Sequence, residues 1–326
     1  MADGFARVSG KVGVVMAQNG PAATLLVPGL AEALKASIPV VALVQDVNRA
    51  QADRNAFQEL DHIGLFTPVS KWVKRVVDAD RVIDYLDMAF AVAAGGRPGP
   101  AVLMLPADLL LERIKSPSAR QATLGTYPLD RATADPVRIA EAAELLAQAK
   151  HPLVVAGGGV HLSQACAEVA ALQAEANLPV MTTVMGKGAV DEAHPLSLGV
   201  AGYNLGAMAP ARYLRPLIEQ ADVVLLIGTR TNQNGTDSWA LYPDGAKYIH
   251  IDVDPAEVGR NYEALRLIGD ARLTLAALVD KLRGRRQPDR GLEDAIAAAR
   301  KRHGEEVASL LTSDASPVHP VRMMAD

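Results

Sequence analysis

The chain has 326 residues, of which 49% are hydrophobic and 21% are charged, and its formal net charge is −4. This length suffices for two ordinary domains with cores of their own, and the composition is typical of a globular protein. The weak negative charge and an aromatic content of 4% argue against binding to nucleic acid or to an anionic membrane surface. A single cysteine excludes an internal disulfide, and no apolar run reaches the ~20 residues of a membrane helix, so we expect a cytoplasmic protein.

The N-terminal part of the sequence alternates short apolar runs with helical patterns. Apolar runs at Val12–Ala17, Pro39–Val44 and Pro100–Leu105 predict strands that are buried on both faces of a parallel sheet. Apolar residues recur at helical spacing over Ala79–Ala94, which predicts a helix before the third strand. This alternation predicts an α/β domain over residues 1–112.

The turn after the first strand carries the clearest functional signal. Its sequence is Gln18-Asn19-Gly20-Pro21, and a helix-like run follows it. A strand that ends in Asn-Gly-Pro and opens a helix leaves unpaired N–H groups around a tight turn. The turn is therefore a candidate site for a polar or anionic ligand.

A second α/β series follows a stretch rich in Ser, Thr, Pro and Arg, which predicts a linker over residues 113–134. Asp135-Pro136 reads as an N-cap followed by proline at the first helical position, so a helix to about Lys150 is expected. These signals predict a second domain over residues 135–284. Its predicted strands are His151–Ala156, Pro179–Val184, Asp222–Ile227 and Lys247–Val253, and a helix over Ala271–Leu282 closes it.

The C-terminal part, residues 285–326, is predicted to be a linker and the start of a further domain. A basic cluster at its beginning has no aromatic neighbours for a nucleic-acid site, so we interpret it as a solvated linker. The cluster consists of Lys281, Arg283, Arg285, Arg286 and Arg290. The segment Gly291–Ser313 has a helical pattern.

Polar and glycine residues follow three strands of the second domain. Gly157-Gly158-Gly159 comes directly after a strand, where glycines let a backbone approach a pyrophosphate at a helix N-terminus. The spacing is not Gly-x-Gly-x-x-Gly, because position 162 is leucine, and a tight strand–helix turn also explains the glycines. Arg230 and Asp252 follow two later strands, and the carboxyl ends of parallel strands are where open sheets bind ligands.

Several classes of site have no support in the sequence. The seven histidines show no paired spacing for zinc, so no metal-binding residue is predicted. A Gly-x-Ser-x-Gly elbow and a P-loop are both absent. Hydrolase and nucleoside triphosphatase functions are therefore disfavoured.

The segment Ala2-Asp3-Gly4-Phe5-Ala6-Arg7, the strand after it and the Gln18–Pro21 turn together resemble a known family. They resemble the pyrimidine-binding domain of thiamine-diphosphate enzymes, in the branch of the acetolactate synthase large subunit. The triple glycine, Gly228-Thr229-Arg230 and Asp252-Val253-Asp254-Pro255 are similar to the central domain of the same enzymes. The resemblance implies two doubly wound parallel-sheet domains, an N-terminally incomplete pyrimidine-binding domain and a Rossmann-like central domain.

The chain departs from the family pattern at two places. Asn19 stands where the family has serine, and Ala22 stands where it has a second glycine. After Arg230 the sequence is Thr-Asn-Gln, where flavin-binding members often have Phe-Asp-Asp.

The resemblance also implies roles for individual residues. Asn19, Gly20 and Pro21 would contact thiamine diphosphate. Phe57, Gln58 and Lys71 would border the substrate channel. The residues implied to contact the FAD of flavin-binding members are Gly157, Gly158, Gly159, Arg230 and Asp252, with Gly199-Val200-Ala201-Gly202 alongside.

The implied activity is that of a carboligase that depends on thiamine diphosphate and Mg²⁺ and decarboxylates a 2-oxo acid such as pyruvate, as a homodimer or homotetramer. In the family an activating glutamate precedes the Ala-Asp-Gly segment, and a Gly-Asp-Gly motif helps to hold Mg²⁺. No glutamate precedes that segment here, and Gly269-Asp270-Ala271 is not that motif. We therefore expect a fragment that has no catalytic residue and no activity of its own.

Three alternatives remain open at this stage. Two lie within the class, a sulfoacetaldehyde acetyltransferase and an aromatic 2-oxo acid decarboxylase. The third is a non-catalytic nucleotide-binding or subunit-like protein that keeps the fold without the chemistry.

Overall fold

The computed structural model describes residues 1–115, 122–201 and 209–325. The chain divides into two compact units, Met1–Arg131 and Ala132–Asp326. Each unit has a parallel sheet with helices between its strands, which confirms the predicted fold class of two α/β domains.

In the first unit the described residues form a four-stranded parallel sheet in the order β1-β2-β4-β3. The strands are β1 Gly13–Ala17, β2 Val40–Asp46, β3 Trp72–Arg75 and β4 Ala101–Pro106. The helices are α1 Ala2–Ser9, α2 Pro21–Thr24, α3 Val27–Ala36, α4 His62–Phe66 and α5 Val82–Ala94.

The strands of the first unit differ in how deeply they are buried. β2 and β4 lie in the centre of the sheet and are apolar almost throughout, as a strand covered on both faces must be. β1 lies at one edge, and its Val14 and Met16 side chains are 48% and 74% exposed, so the expectation that this strand is buried on both faces is wrong. β3 was not predicted, because this short edge strand has only partly buried residues and an exposed lysine.

In the second unit the described residues form a six-stranded parallel sheet in the order β10-β9-β8-β5-β6-β7. The strands are β5 Pro152–Ala156, β6 Val180–Thr182, β7 Ser197–Val200, β8 Val223–Ile227, β9 Lys247–Asp252 and β10 Ala264–Ile268. The helices are α6 Pro136–Gln148, α7 Gly159–Leu162, α8 Cys166–Ala174, α9 Arg215–Glu219, α10 Ala271–Leu282, α11 Arg290–Leu311 and α12 Pro320–Ala325.

The strand order of the second unit reverses between β5 and β8. From β5 the chain builds outward through β6 and β7, and it then returns to β8 on the other side of β5. Open α/β sheets bind ligands at such a switch point, beyond the carboxyl ends of the strands. The loops after β5 and β8 carry Gly157–Gly159 and Arg230, so the topology places both at this edge.

Three helices of the second unit begin at aspartate N-caps. The side chain of Asp135 accepts a hydrogen bond from the Val137 N–H, as the Asp-Pro signal predicted, and α6 follows. Asp270 and Asp289 cap α10 and α11 in the same way. The predicted helix over Gly291–Ser313 is confirmed as α11.

The interpretation of the basic cluster as a solvated linker is wrong for Arg286. This side chain is partly buried, and its Nη1 donates to the carbonyl oxygens of Leu146 at 2.9 Å and Ala149 at 2.7 Å. These carbonyls lie at the C-terminus of α6, where no N–H group of the helix is left to bond them and where the helix dipole favours a positive charge. Arg286 therefore caps a helix, a role that spacing in the sequence cannot reveal. The other four basic residues are exposed, as expected.

Candidate functional site

The turn between β1 and α2 has a backbone that only glycine adopts readily. Gly20 has φ 61° and ψ −124°, outside the regions open to residues with a side chain. A Cβ added at Gly20 would lie 2.7 Å from both the Cβ and the carbonyl oxygen of Gln58. Glycine at this position therefore serves two needs, the positive φ and the close approach of the Gln58 loop.

The side chain of Asn19 fastens this turn to the loop that follows β2. Asn19 is buried, and its Nδ2 donates to the carbonyl oxygens of Phe57 at 3.1 Å and Gln58 at 3.3 Å. The Phe57 side chain is 83% exposed, although its carbonyl is held. The structure thus brings together the predicted cofactor turn, Asn19 to Pro21, and the predicted channel residues Phe57 and Gln58.

A buried histidine holds the same turn from the other side. The N–H of Gly20 donates to Nε2 of His62 at 3.0 Å. Nδ1 of His62 lies 3.3 Å from Oδ1 of Asp46, the last residue of β2. Because Nε2 accepts a hydrogen bond, this network assigns the ring proton to Nδ1, which donates to the carboxylate.

Asp46 is 2% exposed and is itself firmly held. Nε of Arg75 donates to its Oδ2 at 2.5 Å, and the N–H of Val47 donates to its Oδ1 at 3.0 Å. Burial by itself would raise the pKa of Asp46, but the hydrogen bond with His62 and the charge of Arg75 outweigh it and lower that pKa. The carboxylate is therefore ionised at neutral pH.

Sequence reasoning missed His62, Asp46 and Arg75. The available signal was Asp46, a carboxylate at the end of a mostly apolar strand, where open sheets carry their functional residues. The partners come from α4 and β3, and no spacing in the sequence indicates that they meet.

The loop that carries Phe57 and Gln58 has an unusual backbone. Asp53, Asn55 and Gln58 all have positive φ, between 56° and 61°. The carboxylate of Glu59 accepts the N–H groups of Asp53 at 2.6 Å and Ala56 at 2.9 Å, and these backbone hydrogen bonds lower its pKa. Strained backbone that is held in this way is typical of functional loops, because the surrounding contacts must fix it.

Lys71 lies apart from the other predicted channel residues. Its Nζ donates to the carbonyl oxygens of Val92 at 2.5 Å and Gly95 at 3.0 Å, at the C-terminus of α5. It precedes β3, and its N–H bonds to Pro100, which precedes β4. Lys71 is therefore at the amino edge of the sheet, opposite to the edge that carries the turn, and its place at a channel stays a prediction.

In the second unit the predicted glycines pack against one another. A Cβ at Gly157 would lie 2.3 Å from the carbonyl oxygen of Gly228, and a Cβ at Gly159 would lie 2.7 Å from the Cα of Gly228. The N–H of Gly159 also donates to the carbonyl of Gly228 at 2.9 Å. The contact between the loops after β5 and β8 thus requires glycine at both positions, whatever the site binds. Gly158 lies between them and is the N-cap of α7.

Arg230 and Asp252 share the carboxyl edge of this sheet with the glycines. β8 and β9 are neighbours, with Ile227 opposite Ile251, so the residues that follow both strands lie at the same edge. Both side chains are partly buried, and Oδ1 of Asp252 accepts the N–H of Asp254 at 2.9 Å. Gly199 lies near the end of β7, and Gly202 lies outside the described residues.

A second buried histidine, also missed from the sequence, ties together the loops after β8 and β9. Nε2 of His250 lies 2.9 Å from the carbonyl oxygen of Thr229 and donates to it, while Nδ1 accepts from the N–H of Gly259 at 3.4 Å. Burial lowers the pKa of His250 to about 4, so the ring is neutral at neutral pH. Within the described ranges, no three His, Cys, Asp or Glu side chains come together to hold a metal ion.

Comparison with known proteins separates the same two parts of the chain. Residues 1–65 match the N-terminal TPP binding domain of thiamine pyrophosphate enzymes, and residues 139–278 match their central domain. The first match contains the Asn19–Pro21 turn, Phe57, Gln58 and His62. The second contains the glycine junction, Arg230, Asp252 and His250.

The chain is also similar to curated proteins that are named as acetolactate synthases or as their large subunits. The chain is 40% identical over 285 residues to a probable acetolactate synthase large subunit of Methanococcus aeolicus, which covers 86% of this chain and 47% of the relative. It is 37% identical over 284 residues to an acetolactate synthase of Arthrospira platensis, over 86% of this chain and 48% of the relative. The chain thus spans about half the length of the curated relatives it matches. It belongs to the thiamine pyrophosphate enzymes, of which it carries the N-terminal TPP binding domain and the central domain.

Proposed function

We propose that this protein functions as part of a thiamine-diphosphate-dependent carboligase. The enzyme decarboxylates a 2-oxo acid such as pyruvate and joins the acyl group to an acceptor. One observation carries the proposal. The turn Asn19-Gly20-Pro21 and the loop at Phe57 and Gln58 are bonded to each other within the N-terminal TPP binding domain. The relatives are acetolactate synthases or their large subunits, which supports this activity over the alternative activities.

Each residue of this site has a simple physical role in the proposal. Gly20 lets the turn adopt its positive φ and lets the Gln58 loop pack closely against it, so that the turn and the loop can form one wall of the proposed site. The exposed Phe57 ring offers an apolar wall that excludes water from one side, and Gln58 supplies an amide for polar contact with the substrate. Asn19 holds the turn and the loop at a fixed separation. When bound, thiamine diphosphate supplies the electron sink that decarboxylation of a 2-oxo acid requires.

Two further cofactors are part of the proposal with different support. FAD is proposed for the carboxyl edge of the second sheet, on the resemblance and on the positions of Arg230 and Asp252. The glycines of that edge give it no independent support, because the chain's own packing requires them. Mg²⁺ is proposed on the resemblance alone, and we assign no residue to it.

We also propose that the enzyme is a cytoplasmic homodimer or homotetramer. The exposed apolar side chains of Val14 and Met16 on the edge strand β1 support self-association, because such surface is normally covered. Among the described residues, no helix has the length and apolar character needed to cross a membrane.

The test uses the gene product at its full natural length. Pyruvate, thiamine diphosphate and Mg²⁺ are supplied, and acetolactate is measured with and without added FAD. We expect acetolactate formation that requires thiamine diphosphate, and a Gln58→Ala variant that folds normally but has at least about tenfold lower kcat/KM. A folded product that forms no acetolactate from pyruvate would refute the proposed activity.

A further inference from the structure

We propose that His62, with Asp46 and Arg75 behind it, is a positioning residue for the turn that faces the cofactor. The role of the turn rests on the proposed function, whereas the hydrogen bonds themselves do not. His62 is 0% exposed, so it cannot contact a ligand directly. It acts on the site only through the Gly20 N–H that it accepts at 3.0 Å.

The three side chains form a directed chain of hydrogen bonds. Arg75 on β3 donates to one oxygen of Asp46, and Nδ1 of His62 donates to the other. The carboxylate thereby fixes both the tautomer and the orientation of the ring, as a carboxylate does for a histidine that ligates a metal. The remaining nitrogen, Nε2, is left with a lone pair that points at the Gly20 N–H. These hydrogen bonds therefore hold the turn at a fixed position relative to β2 and β3.

The imidazole ring suits this position because it accepts at one end and donates at the other over a fixed distance. Packing restricts the ring further, since Phe66 stacks with it at a centroid separation of 6.5 Å. Without an acceptor, the buried N–H of Gly20 would be unsatisfied, and a buried donor in that state is costly. The turn would then move away, and the Asn19 contacts with Phe57 and Gln58 would loosen with it.

Two substitutions separate the two ends of the ring. In His62→Gln the amide oxygen can reach the position of Nε2, so the Gly20 N–H keeps an acceptor. In His62→Asn the shorter amide reaches only the position of Nδ1, so Asp46 keeps a partner and Gly20 loses its own. If His62 had only a structural role, both substitutions would affect the turn to the same extent.

The chain offers a convenient probe of Gly20. The sequence contains two Asn-Gly pairs, Asn19-Gly20 and Asn234-Gly235. Labelling with carbonyl-¹³C asparagine and ¹⁵N glycine therefore selects two amides in an NMR spectrum of the polypeptide. The N–H of Gly235 donates to Oδ1 of Asn232 at 2.9 Å and serves as an internal control in the other unit.

We expect the amide of Gly20 to exchange with solvent about tenfold faster in His62→Asn than in the wild type, and within about threefold of the wild type in His62→Gln. Gly235 should be unchanged in both variants. Equal rates for Gly20 in all three proteins would overturn the proposal. Faster exchange of Gly20 to the same extent in both variants, or of Gly235 as well, would also overturn it, because His62 would then be only a core residue.

A measurement on the wild type keeps the proposal testable if a variant fails to fold. Nitrogen-15 shifts of the His62 ring should show the proton on Nδ1, and a proton on Nε2 would overturn the proposal. In the full-length gene product, His62→Asn should raise the concentration of thiamine diphosphate needed for half-maximal activity about tenfold, with His62→Gln near the wild type. A wild type that thiamine diphosphate does not activate would refute the proposed function, while the Gly20 exchange rates would still decide the role of His62.

Discussion

Replacing Gly20 by alanine tests the account of the turn, because two independent penalties fall on one methyl group. The backbone has φ 61° and ψ −124°, and strained conformations of this type cost about 1–3 kcal/mol. The new Cβ would also lie 2.7 Å from two atoms of Gln58, and such overpacking costs about 1–3 kcal/mol. We therefore expect Gly20→Ala to lower the free energy of unfolding of the first unit by roughly 2–6 kcal/mol.

Two other glycines of the same unit separate the penalties. Gly96 has φ 56°, but a Cβ there would meet no atom within 4 Å, so Gly96→Ala should cost only about 1–2 kcal/mol of left-handed strain. Gly4 lies in α1 with an ordinary φ and open space around it. Gly4→Ala should stabilise the unit by about 0.5–1 kcal/mol, because alanine favours the helix.

Urea unfolding followed by tryptophan fluorescence gives the comparison. The two tryptophans, Trp72 and Trp239, lie one in each unit, so Trp72 reports on the first unit in a Trp239→Phe background. The expected order of stability is Gly4→Ala, wild type, Gly96→Ala and Gly20→Ala. If Gly20→Ala is no less stable than Gly96→Ala, the close contact with the Gln58 loop is absent and our reasoning on the turn is wrong.

Three further predictions concern the second unit. The pKa of His250 is near 6.5 in the unfolded chain and about 4 in the folded unit. The free energy of unfolding should therefore fall by about 3 kcal/mol as the pH drops through this window. His250→Asn should remove that part of the fall when urea unfolding is measured as a function of pH. In the same assay at pH 7, Arg286→Ala should lower the free energy of unfolding by about 2–3 kcal/mol. Arg285→Ala, which removes an exposed side chain, should lower it by less than about 1 kcal/mol, and equal losses would contradict the helix cap. Without any ligand, Gly157→Ala should lower the free energy of unfolding of the second unit by at least about 2 kcal/mol, whereas Gly304→Ala in the exposed part of α11 should raise it. No change in Gly157→Ala would show that the loop after β8 does not contact Gly157.

The sequence predicts the fold well where periodicity and local chemistry act together. Central strands such as β2 and β8 begin with runs of five apolar residues, and Asp135-Pro136 marks the start of α6. The short edge strands β3 and β10 escape this reasoning, because most of their residues are not fully buried and each strand contains an arginine. Strand order was also out of reach, since it depends on which runs pair across long intervals of sequence.

The candidate site divides along a similar line. Local turn chemistry and the resemblance point to Gly20 and to Phe57, and the structure brings these two parts together. His62 and Arg75 were missed because their functions arise only when α4 and β3 meet Asp46 in space. For Lys71 a solvated lysine and a channel lysine look alike in sequence, and the structure shows a third role at the end of α5.

The most direct test of the central claim is a crystal structure of the full-length gene product grown with thiamine diphosphate and Mg²⁺. The account predicts the aminopyrimidine ring in van der Waals contact with the turn Asn19-Gly20-Pro21, with the Gly20 N–H still bonded to His62. Phe57 and Gln58 should border the space in front of the ring. Cofactor bound elsewhere, with this turn facing only solvent or protein, would contradict the account.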